Sequence, residues 1–234
     1  DGLRERERVR DLFGRHVGRE VAAAAEQQRP KLGGEERHVA MIFVDIIGST
    51  QLVTGRPATE VVDLLNRFFA VVVEEVDRHH GFVNKFEGDA AFVYAVNEKF
   101  DGTLLEDAIE WAYFAFRKRL RSIAQATSCE CRACRNMQNL DLKFVSHYGE
   151  FIKHTMAGRE ELAGREVIVA HRLLKNTVKD RLSGHAYAFY SDACVQALGI
   201  DPSVQALSAH REAVDVIGEV NGWVRDLEAA WSTE

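Results

Sequence analysis

Apolar and polar residues are arranged along this chain with the periods of both strands and helices. The run from His38 to Val44 is almost continuously apolar, which predicts a short buried strand. From Ala58 to His79, apolar residues recur at every third or fourth position, which predicts a helix that buries one face. The residues of that face are Val62, Leu65, Phe69, Val72 and Val76.

Similar patterns predict the remaining elements. Phe82–Glu87 and Ala90–Val96 are typical of strands, and the Gly88-Asp89 pair between them is typical of a hairpin turn. Further predicted elements are a helix at Leu104–Ala124, a strand at Leu140–His147, a helix at Glu166–Arg181, a strand at Ala186–Tyr190, a helix at Asp192–Leu198, and strands at Glu212–Glu219 and Trp223–Leu227 turned at Asn221-Gly222. The strands and helices do not follow a strict βαβ rhythm, so the pattern favours an α+β fold with helices packed on a mixed sheet.

The first part of the chain differs from the rest. Leu3–Gln28 predicts a helix, and Pro30 and Gly33-Gly34 end it. We therefore expect an N-terminal helical extension, a coupling helix and linker in residues 1–34, and one domain in residues 35–234. Since the chain starts with Asp1 and not with Met, we also expect a membrane or sensor region upstream in a longer parent protein.

Composition narrows the classes of function. The 234 residues carry a net charge of -6, which argues against a general nucleic-acid-binding surface. The longest apolar runs, such as Phe68–Val73, are much shorter than a membrane span, and no signal peptide is visible. The sequence therefore predicts a cytoplasmic domain, also for a parent protein that is anchored in a membrane.

Two carboxylates lie where an apolar strand gives way to a turn. Asp45 follows the first buried strand, and Asp89 lies in the hairpin turn. A carboxylate at the end of an apolar strand needs solvent, an ion pair or a metal ion. If the strand and the hairpin are neighbours in the sheet, both carboxylates emerge at the same end. Magnesium binds such oxygen ligands together with the phosphates of a substrate.

The segment after Asp45 is rich in glycine and hydroxyl groups. Gly48, Ser49 and Thr50 lead into a helix, and the backbone N–H groups of such a turn bind phosphate oxygens. Alternatively, Asp45 and Ser49 only cap that helix. Together with Asp89, this segment favours a site for a metal-bound nucleotide.

Three cysteines lie close together in a polar loop, at Cys129, Cys131 and Cys134. Zinc favours four Cys or His ligands, so the loop is a candidate structural zinc site away from the chemistry. The fourth ligand would be Cys194, His147 or His154. The alternative is three reduced thiols without metal, because the sequence has no second Cys-x-x-Cys pair.

Two motifs and the helix between them resemble the catalytic domain of class III adenylyl and guanylyl cyclases. The motifs are Phe43-Val44-Asp45-Ile46-Ile47-Gly48-Ser49-Thr50 and Asn84-Lys85-Phe86-Glu87-Gly88-Asp89-Ala90. The segment Leu12–Ala90 is especially similar to mycobacterial membrane-associated cyclases. The resemblance implies a ferredoxin-like α+β core and a head-to-tail homodimer with both active sites at the dimer interface.

The resemblance also implies roles for individual residues. Asp45, Asp89 and the backbone carbonyl of Ile46 would hold two Mg²⁺ or Mn²⁺ ions in one protomer. Lys85 matches the lysine that selects the purine, and it would come from the other protomer. The reaction of the family is attack of the ribose 3′-hydroxyl on the α-phosphate, with pyrophosphate leaving.

A helix motif of the family is only partly preserved in the second half. The family has Gly-Asp-x-Val-Asn-x-Ala-x-Arg, and Gly164–Arg172 stands in its place. Arg172 therefore matches the arginine that neutralises charge in the transition state. Its neighbour His171 faces either the nucleotide or the core. Ile168 replaces the asparagine that orients the ribose, and a hydrocarbon cannot make that hydrogen bond.

Two further segments bear on the substrate. Val145–Glu150 stands where cyclases have a strand with the pattern Ile-x-His-x-Gly. Glu161 stands where the family reads the purine amino group, and its carboxylate can accept hydrogen bonds from adenine or from guanine. The stretch from Leu104 to Trp231 as a whole resembles a divergent branch of cyclase-like proteins.

These observations lead to one hypothesis and its alternatives. The leading hypothesis is an adenylyl cyclase that converts ATP to cyclic AMP. The alternatives are a guanylyl cyclase and, because of Ile168, a cyclase-like regulatory module that binds nucleotide and metal with little turnover. A diguanylate cyclase, which has a related core, is a third alternative, but the one Gly-Gly-acidic run of the sequence, Gly33-Gly34-Glu35, falls at the end of the predicted linker.

Overall fold

The computed structural model describes residues 35–53, 57–95, 100–126, 137, 139–156 and 159–232. The predicted coupling helix in residues 1–34 and the cysteine loop at Cys129–Cys134 lie outside the described residues. Within those described ranges, no helix is long and apolar enough to cross a membrane.

Strands and helices alternate irregularly along the described part of the chain. The strands are β1 (Glu35–Ile47), β2 (Phe82–Glu87), β3 (Ala90–Ala95), β4 (Asp141–Met156), β5 (Arg159–Ala163), β6 (Tyr187–Ser191), β7 (Ser208–Val214) and β8 (Gly218–Asp226). The helices are α1 (Ser49–Val53), α2 (Ala58–Arg78), α3 (Gly102–Ala126), α4 (Arg165–Leu173), α5 (Val178–Arg181), α6 (Asp192–Leu198) and α7 (Leu227–Trp231).

The strands form one mixed sheet. Their order is β2-β3-β1-β4-β6-β8-β7, and β5 pairs with the last residues of β4. β4 and β6 run parallel, whereas the pairs β2–β3, β1–β3, β6–β8 and β7–β8 are antiparallel. The predicted α+β fold is therefore confirmed, and the β2–β3 hairpin lies beside β1.

The backbone divides into two units. The larger unit comprises Arg37–Phe151 and Gly164–Glu234, and it contains the main hydrophobic core. Ile152–Ala163 belong to the other unit, in which Ile152 pairs with Ala163 at one end of a short antiparallel ladder.

Successive side chains of β1 point to opposite faces of the sheet. One face is buried in the main core together with apolar residues of α2 and α3, and β1 contributes to it Ala40, Ile42, Val44 and Ile46. On the other face, Phe43 stacks on Phe92 and lies 4.6 Å from the ring of His171 in α4. Asp45 lies two residues after Phe43 in β1, so the two side chains are on the same face of the sheet. This is the face against which α4 packs.

α2 has the predicted length, but its buried stripe is shifted by one position in the first two turns. Val61 and Leu64 are buried, whereas Val62 is 55% exposed. Phe68 determines this orientation, because its ring is fully buried and lies 5.0 Å from that of Phe116 in α3. The prediction that Val62 belongs to the core face was therefore wrong.

The single helix predicted at Glu166–Arg181 is two helices, α4 and α5. The buried Asn176 separates them, because its side chain bonds to the backbone and so replaces helical hydrogen bonds. Its Nδ2 donates to the Leu173 carbonyl at 2.8 Å, and its Oδ1 accepts from the Val178 N–H at 3.1 Å.

The predicted turn at Asn221-Gly222 is also wrong, because both residues lie inside β8. The chain turns between Val214 and Gly218, where Val216 has a φ of 70°. Gly222 is needed for packing, since a Cβ at this position would lie 2.4 Å from the Tyr190 carbonyl oxygen. A glycine that admits a neighbouring strand and a glycine in a turn give the same sequence signal.

Candidate functional site

Asp45 and Asp89 lie side by side where β1 meets the β2–β3 hairpin. Asp45 is opposite Ala90 in the β1–β3 ladder, so it lies inside β1 and not after it. The Ile46 N–H donates to the Asp89 carbonyl at 3.1 Å, which ties the hairpin turn to β1. The structure thus brings together two carboxylates that are 44 positions apart in the sequence.

A lysine that the sequence analysis did not identify completes this cluster. Lys143 Nζ in β4 lies 2.7 Å from Asp45 Oδ2, and it also donates to the Leu174 carbonyl at 3.1 Å. The two side chains of this ion pair are only 17% and 20% exposed, for Asp45 and Lys143 respectively. The signal that could have identified Lys143 is a lysine within a largely apolar strand.

The electrostatics of Asp45 favour a cation beside it. Burial is the largest effect and raises the pKa of the Asp45 carboxyl, and the charge of Asp89 raises it further. The Lys143 ammonium lowers the same pKa, but the net direction remains upward from the ordinary value. The Lys143 ammonium therefore does not fully offset the burial of the Asp45 carboxylate, and a divalent cation beside it would stabilise the charged form.

The turn at Gly48-Ser49 closes the other side of Asp89. Gly48 has a φ of +86°, which favours glycine, and a Cβ there would lie 3.3 Å from the Asn139 carbonyl oxygen. The buried Ser49 hydroxyl donates a hydrogen bond to Asp89 Oδ2. Ser49 is therefore used to orient a carboxylate and not to cap α1, while phosphate binding by Gly48, Ser49 and Thr50 stays a prediction.

The donor set suits a small divalent ion that is completed by substrate. No group of three or more His, Cys, Asp or Glu side chains in the described residues could hold a metal ion. Magnesium commonly binds one or two carboxylates plus substrate phosphates, and Asp45 with Asp89 fits that set. Lys143 would have to release or share Asp45 when a metal ion binds, and the Ile46 carbonyl stays a predicted ligand.

A polar cluster connects β2 with α4. Lys85 Nζ lies 3.1 Å from Glu87 Oε1, and His171 Nδ1 lies 3.5 Å from Glu87 Oε2. The His171 ring also packs against the rings of Phe43 and Phe92. Burial lowers the pKa of His171 although Glu87 raises it, so the imidazole is neutral near pH 7.

α4 borders a groove next to the turn between β7 and β8. The groove has a volume of about 600 Å³, and the residues that line it include Ile168, His171, Arg172, Lys175, Val214 and Asp215. Arg172 Nη1 donates to the Asp215 backbone carbonyl at 3.0 Å. Ile168 is 55% exposed, so an apolar surface stands where the family motif has an asparagine.

Glu161 lies in β5, opposite His154 of β4. Both residues belong to the unit that contains Ile152–Ala163. The predicted role of Glu161 in reading the purine, like that of Lys85, stays a prediction.

Two of the candidate fourth zinc ligands are fixed in the interior. His147 Nδ1 lies 2.8 Å from Ser191 Oγ, and its Nε2 lies 2.8 Å from Glu166 Oε2. Cys194 is fully buried, and burial raises the pKa of its thiol. The three loop cysteines lie outside the described residues, so a zinc site stays a prediction.

Solved structures of nucleotidyl cyclases share this fold. A bacterial light-regulated adenylyl cyclase superposes with a TM-score of 0.62 at 17% identity, over 94% of this chain and 62% of that one. The guanylyl cyclase Cya2 gives 0.59 at 16% identity, over 82% and 93%. The adenylyl cyclase CyaB from P. aeruginosa gives 0.58 at 18% identity, over 83% and 97%. The chain therefore has the class III nucleotidyl cyclase fold.

Sequence relatives match part of the chain. An uncharacterized protein of Mycobacterium tuberculosis is 81% identical over 90 residues, which are 38% of this chain and 17% of the relative. Another uncharacterized protein of the same organism is 65% identical over 121 residues, 51% of this chain and 22% of the relative. The chain thus spans about a fifth of the length of the relatives that it matches.

A family model matches the middle of the chain, from the second turn of α2 to the end of α5. The match covers residues 65–182 and includes Asp89, Lys143, Arg172 and Lys175. Because this match spans half of the sequence, the chain belongs to the family described as a protein of unknown function, DUF2652.

Proposed function

We propose that this chain is a nucleotidyl cyclase domain that converts ATP to 3′,5′-cyclic AMP and pyrophosphate. The observation that carries the proposal is the pair of carboxylates Asp45 and Asp89, which lie together beside the Ser49 hydroxyl. The fold on which they lie is shared with solved adenylyl and guanylyl cyclases.

On this proposal, Asp45, Asp89 and the Ile46 carbonyl bind two Mg²⁺ or Mn²⁺ ions. Bound metal would neutralise phosphate charge and lower the pKa of the ribose 3′-hydroxyl. Ser49 orients the Asp89 carboxylate by donating a hydrogen bond to its Oδ2. The backbone N–H groups of the turn at Gly48, which leads into α1, bind phosphate oxygens.

The remaining roles fall to residues that bind the substrate directly. Arg172 presents a planar guanidinium to the charge that develops on the α-phosphate. Lys85 donates a hydrogen bond to the purine, and Glu161 accepts one from the adenine amino group. Because a carboxylate also accepts from guanine, both ATP and GTP belong in the test.

We further propose that two copies form a head-to-tail homodimer. Val62 in α2 and Phe82 and Phe86 in β2 are between 50% and 55% exposed. A largely apolar groove of about 450 Å³ lies between α2 and β2, and both Val62 and Phe86 line it. A second copy would cover these side chains and would bring its own Lys85 and Arg172 to the first copy's carboxylates.

A binding module with little turnover is the second candidate. Two observations favour it. Ile168 offers no hydrogen bond to a ribose, and the Lys143 ammonium already occupies one side of Asp45. Such a module would bind nucleotide and sense it without chemistry, and the mycobacterial relatives are long enough to contain other domains that respond.

The test measures cyclic product directly. The purified chain is incubated with ATP or GTP and Mn²⁺, and cyclic AMP and cyclic GMP are quantified by chromatography. Asp45→Ala supplies the background, and Asp107→Ala is a matched control, because Asp107 is an exposed aspartate on α3. We expect product from the unaltered chain and from Asp107→Ala, with ATP preferred.

Each outcome favours one candidate. Product above the Asp45→Ala background supports the cyclase, and the ratio of the two products gives the purine preference. Bound nucleotide with no product above that background would support the binding module and reject turnover.

A further inference from the structure

The groove beside α4 carries positive charge that the proposed reaction does not use in full. Arg172 and Lys175 are exposed and both line it, and Asp215 adds a carboxylate on the facing wall. His171 also lines the groove, but burial lowers its pKa and leaves it uncharged near pH 7. Two fixed positive charges against one negative charge make this a site for an anion.

Lys175 lies on the same side of the chain as Arg172. Its N–H donates to the Arg172 carbonyl at 3.1 Å, so the end of α4 tightens into a turn with i→i+3 hydrogen bonding. In such a turn, side chains three residues apart eclipse one another. The two cations therefore extend along one wall of the groove.

The backbone that carries Lys175 is fixed by buried contacts. The next residue, Asn176, donates to the Leu173 carbonyl at 2.8 Å and accepts from the Tyr187 hydroxyl at 2.7 Å. Within the described ranges, no hydrogen bond or ion pair engages the Lys175 side chain. The backbone of Lys175 is thus fixed while its ammonium group is available to bind a ligand.

The size and chemistry of the groove indicate which anion it takes. Its volume of about 600 Å³ is within the usual range for small-molecule sites. Arginine binds a phosphate through two parallel N–H groups, whereas lysine adds a point charge beside it. Adjacent groups of these two kinds suit adjacent phosphates, and the acidic net charge of the chain disfavours a nucleic acid.

We propose that Lys175 binds the polyphosphate tail of a nucleoside triphosphate beside Arg172, and that this groove is the polyphosphate subsite. The inference rests on the proposed function for the identity of the nucleotide. The subsite itself can be measured without turnover, so the two proposals can fail separately.

The experiment titrates sodium tripolyphosphate into the purified chain by calorimetry, with EDTA present to remove divalent ions. Lys175→Met is compared with Lys179→Met, because Lys179 is an exposed lysine on α5 that does not line the groove. We expect Lys175→Met to weaken binding about 10- to 100-fold, the usual effect of losing one charged hydrogen bond. Lys179→Met should bind as the unaltered chain does, and Lys175→Arg should retain most of the affinity.

Two further titrations define the ligand. AMP, with a single phosphate, should bind more weakly than ATP to the unaltered chain and should be insensitive to Lys175→Met. Asp215→Asn should tighten tripolyphosphate binding about threefold, because it removes the negative charge on the facing wall.

The inference is wrong if the unaltered chain does not bind tripolyphosphate, or if Lys175→Met binds it as tightly as Lys179→Met. Both results hold whether or not the chain makes a cyclic product. Conversely, a chain that makes no cyclic product but loses tripolyphosphate affinity on Lys175→Met would reject the cyclase and retain the subsite. Melting temperatures of all variants establish that each is folded.

Discussion

The two regions that the proposed reaction needs differ in how far they are assembled within one chain. The metal half comprises Asp45, Asp89 and Lys143, which are half-buried, and the buried Ser49, and its side chains bond in the pairs Asp45–Lys143 and Ser49–Asp89. The helix half, which comprises Ile168, Arg172 and Lys175 at the groove, is exposed and open. A region whose polar side chains bond to one another keeps its geometry without a ligand. In a region whose side chains are exposed, the geometry depends on the ligand or partner that binds there.

On the proposed function, this difference indicates which half would limit turnover. In that function, the metal half supplies two carboxylates to a divalent ion, and the Ser49 hydroxyl orients the one of Asp89. The helix half has its arginine, but it lacks the polar group expected at Ile168. Metal and phosphate binding should therefore be robust, and efficient cyclisation should depend on the helix half.

The largest effect is expected in the metal half. Asp89→Asn removes a negative charge and alters the acceptor of the Ser49 hydroxyl. We expect turnover with Mn²⁺ to fall about 10³-fold, the upper range for losing one group that stabilises developing charge. Cyclic product is measured at saturating nucleotide, with Asp107→Asn as the control. Activity within tenfold of the unaltered chain would mean that the carboxylate pair is not the metal site.

The second prediction tests whether the two halves belong to different chains. Asp45→Ala and Arg172→Ala should each be inactive alone. In a head-to-tail dimer of one with the other, one of the two sites contains neither change, so the mixture should recover about a quarter of the unaltered activity. The mixture is assayed after unfolding and refolding together. A mixture as inactive as its parts would place both halves of a site in the same chain.

The third prediction concerns a substitution that restores a polar group to the helix half. Ile168→Asn adds a hydrogen-bonding side chain on the exposed face of α4. We expect the turnover number to rise roughly 10- to 100-fold, since a positioned polar contact is worth about that much. Ile168→Leu is the matched control, because it keeps the size and adds no polar group. Unchanged or lower turnover would show that α4 is not oriented toward the ribose.

The smallest effect concerns Lys143. Lys143→Met removes the cation that competes for Asp45, and the two carboxylates then attract a divalent ion more strongly. We expect the affinity for Mn²⁺, measured by titration without nucleotide, to rise about tenfold. Lys118→Met on α3 serves as the control, since Lys118 is exposed. Weaker Mn²⁺ binding by Lys143→Met than by Lys118→Met would mean that the ammonium helps to hold the carboxylates in place.

The sequence was sufficient for features that depend on neighbouring residues. The β2–β3 hairpin, the span of α2 and the bounds of α6 follow from local periodicity and turn residues. Asp45 and Asp89 could be singled out because a charged residue follows an apolar run at Asp45 and because Asp89 lies in the hairpin turn. The pairing of β1 with β3 brings the two residues together. This pairing could be expected because β3 belongs to the hairpin that follows α2.

The rest depended on contacts between distant segments. Lys143 lies 98 positions after Asp45, and only the neighbouring places of β1 and β4 in the sheet bring them into contact. Asn176 divides a helix because Tyr187 and the backbone satisfy its amide. Gly222 was assigned to a turn because the close approach of Tyr190 cannot be seen in sequence. In each wrong prediction, the same local sequence pattern is compatible with two different three-dimensional environments.

The alternation of β1 has a consequence for how this protein can change. Its even-numbered positions, such as Ile42 and Val44, face the main core, whereas Phe43 and Asp45 face α4. Changes at Ile42, Val44 or the fully buried Phe43 should lower the melting temperature, whereas a change at Asp45 should alter ligand binding. A slip of the strand by a single residue would exchange the two sides at once. An insertion or a deletion in β1 would therefore disturb the main core and the proposed site together.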